Sequence, residues 1–301
     1  MSQTPRHLLG LRGISATQLH EWLARAAHWE NEGDQVHRVL NDRFVVNMFF
    51  ENSTRTRFSF EVAEKRLGAE VMNFSAGVSS VQKGESIEDT VRTLEAMGVH
   101  AGVIRLKQEG VLQALMNKVR VPLVNAGDGC NEHPTQGLLD LYTMKKQFGE
   151  IKDLNVTIIG DIKHSRVARS NLWALRELGA NVRFCAPFEM RAPELADFAD
   201  YISMDQALQS DVVMMLRVQL ERHDQTNAMF SDTSAYRAAY GLTAERLSVM
   251  QSHAICMHPA PINRNVEMDD EVIDAPQSRV FPQMANGVPV RMAVLEWVMK
   301  K

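Results

Sequence analysis

The sequence predicts an α/β protein made of two parallel-sheet sandwich domains, and three observations predict it. Short apolar runs of strand length alternate with amphipathic runs of helical period, and strands joined by helices form parallel sheets covered on both faces. The alternation stops at a long periodic run near 135–149 and then starts again. The 301 residues also exceed what one core of about 100 to 200 residues normally organises.

Taken in order, Leu19, Trp22, Leu23, Ala26 and Ala27 have helical spacing, and Ser15 with Gln18 makes a capping box ahead of them. Residues 31–41 are polar around Gly33 and read as a loop. A strand at 43–50 runs into Glu51-Asn52-Ser53-Thr54-Arg55-Thr56-Arg57, after which a helix through Phe58, Val62, Ala63 and Leu67 stops at Gly68. A strand at 70–74, a small-residue loop at 75–84, a helix at 86–97, a strand at 99–106, a helix at 111–118 and a strand at 121–125 follow. After the loop 127–133, Pro134 suits the first position of a helix that ends at Phe148-Gly149. The second half repeats the scheme, with strands at 155–160, 181–186, 211–218 and 254–258 and helices at 166–178, 192–198 and 243–250. An acidic stretch at 267–274 precedes a closing helix from Pro289, at 289–300. The domains are therefore expected at 1–134, completed by 289–300, and at 150–284, joined by a helix at 135–149.

Composition excludes some classes of function. Lys and Arg number 33 against 37 Asp and Glu, a formal net charge of −4, so no global basic field draws in nucleic acid or an anionic membrane. No uninterrupted apolar run approaches the roughly 18 residues of a membrane span, and the first 13 residues have no apolar core of signal-peptide length. Cys130, Cys185 and Cys256 are odd in number and far apart, which fits a reducing compartment. A soluble cytoplasmic protein with no nucleic-acid or membrane partner is expected.

In open parallel sheets ligands bind beyond the carboxyl ends of the strands, and polar residues concentrate there. With Ser53 as N-cap, the first turn of the following helix offers backbone N–H groups, the hydroxyls of Ser53, Thr54 and Thr56 and the guanidinium of Arg55, a set suited to phosphate. A plain capped helix with solvated arginines is the alternative. Arg105 ends the third strand, and His133 and Gln136 follow the fourth, a pairing suited to polarising a carbonyl. In the second half Lys163, Arg166 and Arg217-Val218-Gln219 follow strands, and guanidinium forks suit a dicarboxylate or, equally, a surface salt bridge. His258-Pro259-Ala260-Pro261 predicts a stiff extended backbone whose carbonyls either orient an amine or merely end a strand.

Other motifs fail. Cys130 and His133 have a C-x-x-H spacing, but no second pair of zinc spacing accompanies them and nothing visible activates the thiol. Gly160 lacks the later glycines of a dinucleotide fingerprint, and no Walker A sequence is present.

Ser53-Thr54-Arg55-Thr56-Arg57, Lys83-Gly84-Glu85, His133-Pro134-Thr135-Gln136, Arg217-Val218-Gln219 and His258-Pro259-Ala260-Pro261, in this order and at these spacings, resemble the catalytic chain of the aspartate carbamoyltransferases, from the first helix to the last. The resemblance implies transfer of a carbamoyl group from carbamoyl phosphate to L-aspartate in pyrimidine synthesis, without metal or cofactor, in a cleft between the two domains. It assigns Ser53, Thr54, Arg55 and Thr56 to the phosphate and Arg105, His133 and Gln136 to the carbamoyl end. It assigns Arg166, Arg217 and Gln219 to the aspartate carboxylates, and the backbone of Pro259 and Ala260 to the amine side. Many family members have leucine where Ala260 stands. It further implies that Ser79 (or its neighbour Ser80) and Lys83 reach into the site of a neighbouring subunit, making a homotrimer the smallest complete enzyme. Association with regulatory chains or a dihydroorotase stays open. An ornithine-type enzyme would carry cysteine directly after the histidine of the late motif and lack the shared lysine, whereas Pro259 and Lys83 stand here. A non-catalytic anion-binding homologue is the remaining rival.

Overall fold

The computed structural model of the chain describes residues 5–75, 84–218 and 233–300. Ser79, Ser80, Lys83 and Gln219 lie outside the described residues. The chain divides into two units, Met1–Leu139 with Asn286–Lys301, and Asp140–Ala285.

In the first unit α1 (Ala16–Asn31) buries Leu19, Trp22, Leu23, Ala26 and Trp29, the stripe that its period predicts. Only half of the expected capping box forms. Ser15 Oγ accepts the Gln18 N–H at 3.3 Å, but the Gln18 side chain donates to Glu21 at 3.0 Å. The sheet is then built from β1 (Phe44–Phe49), α2 (Thr54–Arg66), β2 (Glu70–Ser75), α3 (Ile87–Ala96), β3 (Ala101–Leu106), α4 (Val111–Leu115) and β4 (Leu123–Asp128). All its strands pair in parallel, in the order β2-β1-β3-β4. Because the chain leaves β1 toward β2 and crosses back to β3, the strand order reverses between β1 and β3. That is where an open α/β sheet leaves a crevice for a ligand. Val46, Met48, Ile104, Leu106, Leu112 and Leu123 share one core cluster. The segment around Leu8 pairs beyond β4, with Leu8 N–H donating to Leu123 O at 2.9 Å and Asn125 N–H to Leu8 O at 2.8 Å.

The chain passes between the units within α5 (Pro134–Phe148) and α11 (Val280–Met299). Pro134 is the first residue of α5, as its missing donor allows. The helix expected at 289–300 instead begins at Val280 and carries Pro289 inside it. An internal proline costs about 3 kcal/mol. Burial of Val290, Met292, Ala293, Val294, Leu295 and Val298 on the same helix outweighs that.

The second unit contains β5 (Asn155–Ile159), α6 (Arg166–Glu177), β6 (Asn181–Cys185), β7 (Asp200–Tyr201), α7 (Met204–Ala207), β8 (Val212–Met215), α8 (Thr233–Tyr240), α9 (Ala244–Ser248), β9 (Ile255–Met257) and α10 (Asp270–Ile273). Its parallel sheet runs β7-β6-β5-β8-β9, so the order reverses between β5 and β8. Ile159, Val213, Met215 and Cys256 meet α-helical residues such as Val272 in its core. The helix expected at 192–198 is only a 3-10 turn, Pro193–Leu195. The chain must extend into β7 at Asp200, which leaves room for a single turn. Among the described residues no helix is long and apolar enough to cross a membrane.

Candidate active site

β1 is buried along its middle and runs through Phe50 into the turn before α2, so the end of the strand and the start of the helix occupy one corner. Ser53 holds an extended conformation (φ −158°, ψ 98°), and its side chain makes no capping hydrogen bond. Ser15, Ser86, Ser165, Ser203 and Thr243, at the starts of α1, α3, α6, α7 and α9, all do. The alternative of an ordinary capped helix therefore loses its main support. Thr54 and Arg55 are exposed, while Thr56 points inward and is buried. The macrodipole and the first-turn N–H groups of α2 favour an anion at this corner.

Arg105 stands beside this corner, in register with Phe49 across the β1/β3 pairing. The strand ladder continues one residue past the named pair, with Phe50 N–H donating to Arg105 O at 3.0 Å. Arg105 is buried, its side chain 10% exposed, and the guanidinium is held on two sides. Nη1 donates to Ala126 O at 3.1 Å, and Nε lies 3.0 Å from Glu51 Oε2. Arg105 thus ties the end of β1 to the end of β4. Glu51 was not anticipated as a partner, although its place directly before the motif was the available signal.

The loop after β4 is fixed by a carboxylate and amide network. Asp128 Oδ1 accepts from Asn125 Nδ2 at 2.8 Å and from Glu132 N–H at 3.1 Å, and Asp128 Oδ2 accepts from Asn131 Nδ2 at 3.0 Å. Glu132 reaches the other way, its Oε2 accepting Leu11 N–H at 2.7 Å and its Oε1 accepting Arg12 N–H at 3.2 Å. A Cβ at Gly10 would run into that carboxylate and force it to shift. The network delivers His133, Thr135 and Gln136, all buried, to the first turn of α5, where the Gln136 N–H donates to His133 O at 2.9 Å. Glu132→Ala removes the acceptor of the buried Leu11 N–H and of the part-buried Arg12 N–H. It is expected to lower stability by about 2 to 4 kcal/mol, read by chemical denaturation. A loss below about 0.5 kcal/mol would show that this anchor is dispensable.

In the second unit the corresponding crevice lies between β5 and β8. Gly160 has φ +125°, and a Cβ there would sit 3.1 Å from Leu216 O and 3.2 Å from Tyr236 Oη, so only glycine lets the two strand ends approach. Asp161, fully buried, accepts the His164 backbone N–H at 3.2 Å, and both its oxygens lie 3.0 Å from His164 Nδ1. Ser165 Oγ then caps α6 by accepting Ala168 N–H at 3.1 Å, which sets Arg166 as the first helical residue. Arg217 follows β8 by two residues. The next N–H, of Val218, donates to Glu267 Oε1 at 2.8 Å. Asn263 completes the arrangement, donating from Nδ2 to Glu267 Oε1 at 2.7 Å and from its backbone N–H to Glu267 Oε2 at 2.6 Å. Burial raises the Glu267 pKa, opposed by these bonds and by the nearby Arg217 charge. Glu267 and Asn263 were missed in the sequence, where Glu267 read only as part of an acidic run.

His258 is fully buried and serves the backbone that follows it. Its N–H donates to Gln283 Oε1 at 3.0 Å, Gln283 Nε2 donates to Asp140 Oδ1 at 2.6 Å, and its Nδ1 accepts the Ala260 N–H at 2.9 Å. The expected extended backbone is not what forms. Ala260 has φ +54°, and its bond to Pro261 is cis. The hydrogen bond back to the His258 ring folds the chain at a residue that local sterics would have kept extended. The left-handed region costs a non-glycine residue about 1 to 3 kcal/mol. Pro259 and Ala260 therefore present a turn to their surroundings.

The structure thus gathers residues 53–56 with Arg105 at one strand-order reversal, sets His133 and Gln136 at the adjacent strand end, and sets Arg166 and Arg217 at the reversal of the second sheet. Among the described residues no group of three or more His, Cys, Asp or Glu is placed to hold a metal ion.

Residues 6–146 match the carbamoyl-P binding domain, and residues 152–298 the Asp/Orn binding domain, of the aspartate/ornithine carbamoyltransferases. Among solved structures, the catalytic subunit of M. jannaschii aspartate transcarbamoylase is 34% identical with a TM-score of 0.83, the alignment covering 98% of each chain. Aspartate transcarbamoylase from Trypanosoma cruzi, in complex with carbamoyl aspartate and phosphate, is 29% identical with a TM-score of 0.86, over 97% of this chain and 95% of that one. The same T. cruzi protein in complex with N-(phosphonacetyl)-L-aspartic acid gives a TM-score of 0.84 at 29% identity, over 98% and 97% of the two chains.

Proposed function

The chain belongs to the aspartate/ornithine carbamoyltransferase family, and from that premise we propose that it transfers the carbamoyl group of carbamoyl phosphate to the amine of L-aspartate, giving N-carbamoyl-L-aspartate and phosphate for pyrimidine synthesis. The observation that carries the reading is the meeting of the α2 start with Arg105 at the β1/β3 reversal. An acyl phosphate needs an anion site and a cationic carbonyl site side by side, and this corner supplies both. Pro259 after His258, in place of the cysteine of ornithine-type enzymes, favours aspartate as acceptor.

In the proposed mechanism the phosphoryl oxygens are held by the N–H groups of α2 and by Ser53, Thr54, Arg55 and Thr56. The carbamoyl oxygen faces Arg55, Thr56, Arg105 and His133, with Gln136 toward the carbamoyl nitrogen. Arg166, Arg217 and Gln219 hold the aspartate carboxylates, and the carbonyls of the turn at Pro259 and Ala260 face the amine. The amine nitrogen bonds to the carbonyl carbon, negative charge gathers on the carbonyl oxygen, and the bond to the phosphate oxygen breaks. The departing phosphate takes the amine proton. Positioning contributes at most about 7 to 11 kcal/mol, and each oxyanion donor adds about 3 to 4 kcal/mol. Ser79 and Lys83 complete the site of a neighbouring subunit in a homotrimer. Three free cysteines support a reducing, cytoplasmic setting.

The test incubates the pure chain with carbamoyl phosphate and either L-aspartate or L-ornithine. N-carbamoyl-L-aspartate should form, and citrulline should not. Citrulline alone would transfer the assignment to the ornithine branch, and no product from either would leave an anion-binding homologue.

A further inference from the structure

The inward stripe of α2 consists of Thr56, Phe60, Ala63 and Glu64. Glu64, fully buried, lies about two turns beyond Thr56 on this face. It meets Asn47, equally buried in the middle of β1, whose Nδ2 donates to Glu64 Oε2 at 2.8 Å. The other atom of each group, Asn47 Oδ1 and Glu64 Oε1, is buried and has no hydrogen-bond partner among the described residues. An amide and a carboxyl joined through one N–H···O contact can close a second, O–H···O contact between their remaining oxygens when the carboxyl carries a proton. A proton on Glu64 Oε1 satisfies both at once, and a carboxylate satisfies neither.

We propose that Glu64 is a positioning residue that acts as the neutral acid, donating from Oε1 to Asn47 Oδ1 while accepting from Asn47 Nδ2, and that this two-bond clasp sets the phosphate-binding start of α2 against the end of β1. The proposal rests on the phosphate-binding role of α2 given above. A helix moves as a rod, so an axial slide or rotation blocked at Glu64 is also blocked at Thr56. A second contact steadies the outer side, where Asn73 of β2, paired with Asn47 in the sheet, accepts from Arg57 Nε at 3.2 Å and donates to Glu61 at 3.4 Å.

The surroundings favour the neutral form. Burial is the largest cause of a Glu64 pKa pushed up to about 8, opposed by the Asn47 N–H, with Glu61 adding to the rise and Lys65 opposing it. β1 has no charged residue, and the one charge on β2 is Glu70, exposed at its start. Arg291 of α11 lies over the Phe60 ring at 4.9 Å and donates to Ser59 Oγ at 2.8 Å. The folded acid keeps its proton to a higher pH than the unfolded one. The clasp therefore stabilises fully below the ordinary carboxyl range and is lost as pH rises through about 8.

The test measures binding of inorganic phosphate to the full chain as wild type, Glu64→Gln and Glu64→Leu, by calorimetry from about pH 7 to about pH 9.5. Glutamine supplies a permanent donor and acceptor and restores the clasp without a titration. Taking the ratio of wild-type to Glu64→Gln dissociation constants cancels the titration of phosphate itself. The ratio should be near one at pH 7 and rise about fivefold by pH 9.5, and Glu64→Leu should bind about fivefold more weakly than Glu64→Gln throughout. A ratio that stays at one across the range overturns the proposal, even if melting temperatures diverge, because Glu64 would then be merely structural. If Glu64→Leu does not fold, the ratio decides alone. If Glu64→Gln does not fold, the neutral acid is not what the site accepts and the proposal falls. Absence of phosphate binding by the wild type overturns the reading of α2 as well.

Discussion

Arg55→Ala is expected to lower turnover by about two to three powers of ten while leaving the fold intact. The side chain is exposed on the first turn of α2, so its removal opens no cavity. On the proposed mechanism, what is lost is a charge-assisted contact to a phosphate oxygen and to the carbonyl oxygen that becomes negative, a contact stronger in the transition state than in the ground state. The loss should therefore appear in both kcat and kcat/KM. Steady-state kinetics on a variant with unchanged circular dichroism checks it. A loss below about tenfold would remove Arg55 from the centre of the mechanism and return the α2 start to the status of an ordinary helix end.

Mixing two inactive variants, Lys83→Ala and Arg55→Ala, is expected to restore activity. If each site takes Arg55 from one subunit and Lys83 from its neighbour around a closed ring, random exchange at equal amounts leaves about a quarter of the sites with neither lesion. Activity should rise from near zero toward that fraction of wild type after subunits are dissociated and rejoined. Exchange must be demonstrated independently, with one variant carrying a mass label. Demonstrated exchange without recovery would place Lys83 in the site of its own chain or outside any site.

Much of this is legible in the sequence, for a physical reason. A parallel sheet covered on both faces writes itself as uniform apolar runs, and its ligand groups must follow those runs, so residues 53–57, Arg105, His133 and Arg217 were visible as polar residues at strand ends. The residues that hold them were not. Glu267 secures Val218 from a point 49 residues later, and Glu132 secures Leu11 from one 121 residues later. No local period records such contacts. Ala260 departs from its expected extended form because the His258 ring accepts its N–H, a choice made by a side chain and invisible to backbone propensity. The start of α11 at Val280 was hidden because Pro289 is a valid first residue for a helix, and only burial further along the helix lets it be an interior one.

The division of the chain, with residues 140–285 inserted into a unit made of two separate segments, sets an order of events at the ribosome. The strands of the first sheet are synthesised early, but Arg291, Glu296 and Trp297, which contact Ser59, Arg25 and Trp22, emerge only after the whole inserted unit. At about 5 to 20 residues per second that interval is roughly 7 to 30 s. During it the apolar stripe of α1 has no α11 to pack against. α1, made ahead of the whole first sheet, is thus among the last elements to be finished, and its nascent form is the one a chaperone has most time to meet.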